Sequence, residues 1–106
     1  MMATNSTAAA PDFSRMVKDV RQALNMNQAQ FAQLMGVTPA AVSLWEDGKR
    51  QPEGTALRML YAIHEQLKGR KPAKGEFDEV LKAIAVGTAA LGFIALLGVL
   101  FGTTKE

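Results

Sequence analysis

The side chains able to do chemistry in this chain are few and of one kind. Cysteine is absent and His64 is the single histidine, so neither thiolate nor histidine-rich metal ligation is available. No Ser/His/Asp or Cys/His set for nucleophilic catalysis is present, and no glycine loop of phosphate-cradling type. An enzyme is therefore not expected, nor any cofactor. What remains is hydrogen bonding and charge. Amides and hydroxyls occur at Asn27, Gln28, Thr38 and Ser43, with Lys49 and Arg50 just beyond. From Gly48 to Glu76 seven Lys or Arg residues stand against three acidic ones, within a net charge of only +2. A basic middle suits an anionic partner, either nucleic acid or lipid head groups, although a solvated charged surface has the same signature.

These groups must be positioned by helices. Alternating strand patterns are missing, so the fold class is all-α. Phe13, Val17, Val20 and Leu24 recur at three- and four-residue spacing and predict a first helix over 13–24, with Asp12 or Ser14 to cap it and Asn25 to end it. A second helix is predicted over 28–35, with Phe31, Ala32, Leu34 and Met35 inward. Gly36 closes it, because glycine accepts the left-handed conformation of a tight turn. Thr38 as cap and Pro39 at the first helical position open a third helix, which runs through Val42 and Trp45 to Asp47 and Gly48. A fourth spans about 55–67 with Leu57, Leu60, Tyr61, Ile63 and Leu67, and Gly69 stops it. Trp45 and Tyr61 are expected in the core, and Met16, Met26, Met35 and Met59 as packing residues.

The informative stretch is Gln28 to Trp45, QAQFAQLMGVTPAAVSLW. Two short helices joined by three residues must cross steeply, which requires a small residue at the crossing (Ala32) and a turn residue (Gly36). Phe31, Met35, Val37, Val42 and Trp45 can then lock the pair. This is the spacing of a helix-turn-helix, whose second helix enters the DNA major groove. With VRQALN before it, EDGKRQP after it and TALRML in the following helix, the region 13–65 resembles the lambda-repressor/Cro-like (XRE) family.

The resemblance implies a compact domain of four to five helices that binds double-stranded DNA as a transcription regulator, usually a repressor, working as a homodimer or higher homo-oligomer. It implies phosphate contacts from Asn27, Gln28, Thr38, Lys49 and Arg50. It makes Pro39, Ala40, Ser43 and Leu44 the base-facing positions, and Arg21 with Glu46 a structural ion pair. This chain departs from the family at the base-facing positions, where Gln, Arg or Asn is common and bidentate hydrogen bonds to purines follow. Here only Ser43 can hydrogen-bond to a base edge, while Ala40 or Leu44 can touch a thymine methyl.

The remainder divides into a polar leader (1–11), a basic linker (68–75) and a C-terminal apolar segment (76–106), on either side of the helix-turn-helix domain at 12–67. From Ala83 to Thr104 there is no charge. As one helix these residues would be about 33 Å long, enough for a bilayer core of about 30 Å. Lys68, Arg70, Lys71, Lys74 and Lys82 precede the run and only Lys105 follows it, which keeps the first part on the inner side. The expectation is a long apolar helix spanning a membrane through 83–104, with the DNA-binding domain on the cytoplasmic face in a bacterium or phage-infected cell. Two alternatives stand beside it: a cytoplasmic oligomer assembled through these helices, and a membrane adaptor whose helical domain binds protein.

Overall fold

The computed structural model describes residues 13–70, 74–87 and 89–101, so the expected leader, the middle of the linker and the last five residues lie outside it. The described residues form six α-helices and no strand: α1 (Phe13–Ala23), α2 (Gln28–Met35), α3 (Pro39–Glu46), α4 (Gly54–Leu67), α5 (Asp78–Ala85) and α6 (Ala89–Phe101).

Local chemistry sets the first three. On α1 the residues Phe13, Val17 and Val20 are buried along one face, and Leu24 follows them into the core. Asn25 then turns the chain in the left-handed region, at φ 61°. Asn27 opens α2 through a reciprocal capping box: its Oδ1 accepts from the Gln30 amide at 2.8 Å, and the Gln30 Oε1 accepts from the Asn27 amide at 2.9 Å. Gly36 closes α2 at φ 74°. The Thr38 hydroxyl oxygen accepts from the Ala41 N–H at 3.1 Å, which starts α3 with Pro39 in its first turn. The core gathers Phe31, Ala32, Leu34 and Met35 of α2, Val42 and Trp45 of α3, and Leu60, Ile63 and Leu67 of α4. Tyr61 differs from its expected core position. It is 40% exposed, with its ring edge-on to Phe13 at a centroid distance of 5.9 Å.

The C-terminal segment corrects the sequence reading. The uncharged run is not one long helix. It breaks after α5 at Val86 and Gly87, where Gly87 adopts φ 118°, a conformation that side chains with a Cβ resist. The remaining helix α6 has 13 residues, about 20 Å of length against a bilayer core of about 30 Å. Among the described residues no helix is long and apolar enough to cross a membrane. The two pieces instead fold back as a hairpin. Helix α6 packs on α5, α2 and α4, and α5 also meets α2.

Phe77, Val80, Ile84 and Leu96 are buried in the same core as the first four helices. Gly92 permits the approach, because a Cβ there would stand 2.7 Å from Ile84 Cγ1 and 3.5 Å from Leu34 Cδ1. The Gln33 side-chain amide donates to the Ile84 carbonyl at 2.8 Å and fastens the hairpin to α2. Across the linker Arg70 pairs with Glu76.

Candidate nucleic-acid interface

Helices α2 and α3, joined by residues 36–38, present one face of α3 to solvent. Val42 and Trp45 are buried beneath it. Above them Pro39 and Ala40 are exposed, and Ser43 and Leu44 are half-buried. The four residues expected to face bases thus lie along one outward ridge. The candidate phosphate-binding groups flank it. Asn27 and Thr38 are exposed at the starts of α2 and α3, and Lys49 and Arg50 are exposed just past the end of α3. The N–H groups of Lys49 and Arg50 both donate to the Leu44 carbonyl, at 3.0 and 3.3 Å, so the loop is drawn back against the helix end and the two cations stay beside the ridge. Because the Thr38 oxygen serves the cap as an acceptor, its O–H is left to donate outward.

Gln28 sits differently from a purely phosphate-facing residue. It is half-buried, and its Nε2 donates to Glu46 Oε1 at 3.1 Å. One amide hydrogen remains for a phosphate. The Glu46 carboxylate also accepts from Arg21 Nε at 2.6 Å and Nη2 at 3.0 Å, while Arg21 Nη1 donates to the Met26 carbonyl at 3.0 Å. Three helices therefore converge on one acid at the end of α3. The Glu46 side chain is only 5% exposed. Burial pushes its carboxyl up, but the hydrogen bonds from Arg21 and Gln28 and the charges of Arg21 and Lys18 outweigh burial and leave it below the ordinary glutamate range. The bond to Glu46 raises the Arg21 guanidinium against an opposing effect of its own burial.

Sequence reasoning missed three contributors. Asn27 and Gln30 show the spacing of a capping box, a signal present in the chain. The bond from Arg21 to the Met26 carbonyl and the reach of Gln33 to Ile84 carry no such local signal.

Residues 17–60, which include α2, the turn at 36–38 and α3, match the family model described as helix-turn-helix. One similar curated protein is (S)-2-hydroxypropylphosphonic acid epoxidase of Streptomyces wedmorensis, 37% identical over 46 residues. Those residues are 43% of this chain and 23% of the epoxidase, so the chain spans well under half the length of that relative. No solved structure matches the chain.

Proposed function

We propose that this chain is a non-enzymatic transcription regulator that binds double-stranded DNA by laying α3 in the major groove. The observation that carries the reading is the open ridge of Pro39, Ala40, Ser43 and Leu44 on a buried Val42 and Trp45 base, with Lys49, Arg50, Asn27 and Thr38 flanking it. The ridge faces bases, and the flanking groups hold phosphates and fix the register. Arg21 and Glu46 hold the ridge without touching DNA. A DNA partner places this work in the cytoplasm of a bacterial or phage-infected cell, and the repressor role follows from the family resemblance.

Domains of this type read paired half-sites as dimers. The outer face of α6 supports pairing of two copies: Leu91, Ile94 and Phe101 share that face and are 50%, 64% and 49% exposed. A helix apolar on every side needs cover on this side too.

The test replaces Lys49 and Arg50 with Ala in the full chain and measures gel shifts on a random-sequence duplex pool at two salt concentrations. Two lost phosphate contacts weaken binding and make the log–log salt slope shallower by about 1.8. Unchanged affinity and slope would replace this reading with that of a protein-binding adaptor.

A further inference from the structure

We propose that α3 selects duplex DNA by the C5-methyl groups of its pyrimidines, with Ala40 and Leu44 as the contacting side chains. The inference rests on the reading above, that α3 lies in the major groove.

That groove offers three kinds of feature: acceptors on purines and on thymine O4, amino donors on adenine and cytosine, and the thymine methyl. The ridge can answer few of them. At 3.6 residues per turn, Ala40, Ser43, Leu44 and Asp47 fall on the side of the helix away from Val42 and Trp45. Pro39 has no N–H to offer. Ala40 and Leu44 present only carbon. The Ser43 hydroxyl both donates and accepts, so it suits several base edges and distinguishes them poorly. Exposed Asp47 repels the purine acceptor pair and accepts only from amino groups.

No described side chain on the ridge can make the bidentate bonds that read guanine or adenine. A bare purine edge pressed against Leu44 loses water without replacement, which is unfavourable. A methyl pressed there loses only unfavourable hydration. Of the features that Ala40 and Leu44 can meet, only the methyl is rewarded, while Ser43 and Asp47 add hydrogen bonds that single out no one base, since adenine and cytosine both offer amino groups. 5-Methylcytosine carries the same group at the same ring position as thymine, so cytosine methylation creates what this ridge binds.

The experiment uses the full chain and the duplexes it enriches from a random-sequence pool, or the pool itself if none is enriched. Each is made with thymine or with deoxyuridine, which keeps base pairing and removes only the methyl, and also with cytosine or 5-methylcytosine. The expected result is about a fourfold loss of affinity for each contacted methyl removed, with gain on cytosine methylation. Leu44→Ala and Ala40→Ser narrow the thymine–uracil difference, read as a ratio of affinities within each variant. Thermal melts confirm that both variants fold, and Ala40→Ser, at an exposed site, keeps the test alive if Leu44→Ala does not. Equal affinity for thymine and uracil duplexes overturns the proposal and leaves DNA binding standing. A difference that persists in folded variants overturns the assignment to Ala40 and Leu44. Failure to bind any duplex removes the DNA-binding reading itself, and the proposal with it.

Discussion

Removing Arg21 should damage this protein more than removing Glu46, although the two share one ion pair. Arg21→Ala strips two hydrogen bonds from the Glu46 carboxylate and leaves a charge whose side chain is 5% exposed with only the Gln28 amide. Breaking a buried pair in this way costs about 3–5 kcal/mol. Glu46→Ala leaves Arg21, whose side chain is 16% exposed, still bonded to the Met26 carbonyl and able to lean toward water. Its cost is smaller, about 2–3 kcal/mol for lost charged hydrogen bonds.

The double variant should cost less than the sum, with a coupling of about 2 kcal/mol, because neither charge is then stranded. Urea unfolding of the four proteins at neutral pH measures all three quantities. Thermal melting offers a check, since a loss of 3 kcal/mol lowers the midpoint by roughly 12–24 °C in a domain of this size. The acid limb adds a second reading. The folded Glu46 carboxyl lies below its unfolded value of about 4.3, so its contribution is complete above that pH and is lost as pH falls through the folded value. Glu46→Gln should flatten that part of the stability curve. Equal and additive single effects, with an unchanged acid limb in Glu46→Gln, would refute the reasoning.

Three further outcomes follow from the geometry. Gly92→Ala should destabilise the protein by up to about 2 kcal/mol in urea unfolding: crowding against Ile84 Cγ1 costs about 1–3 kcal/mol and exceeds the roughly 1 kcal/mol gained in helix propensity. Thr38→Ala should cost about 1 kcal/mol by loss of the α3 cap, with Thr38→Ser nearly neutral, as read by thermal melts. Ile94→Glu, at a site 64% exposed, should leave the melting temperature within a few degrees of wild type while shifting sedimentation toward the monomer; unchanged sedimentation would argue against pairing through α6.

The helix-turn-helix pair was legible because its boundaries have their own side-chain chemistry. Thr38 with Pro39, and Gly36 after Met35, mark them within a few residues of sequence. The hairpin was not legible, since from Ala83 to Phe101 the run is uncharged and Thr88 is its only polar side chain. Gly87, Gly92 and Gly98 look alike in sequence, yet Gly87 makes a turn while Gly92 lies inside a helix against Ile84. Only the partner surface distinguishes them, and that surface includes Leu34, which the sequence assigned wholly to the helix-turn-helix core. At the site, residue types revealed that Gln28 and Arg21 hydrogen-bond. The family resemblance already paired Arg21 with Glu46, but nothing in the sequence revealed that Gln28 donates to the same carboxylate.

The seat of the C-terminal hairpin on α2 bears on how the chain can be divided. Leu34 is fully buried, and α6 supplies part of its cover. A fragment trimmed to the helix-turn-helix stretch would bare that leucine and leave Gln33 without its carbonyl, on the very helix that braces α3. Severing the tail would therefore loosen α2 beneath α3, and a fragment ended at the family match, residue 60, should melt below the full chain.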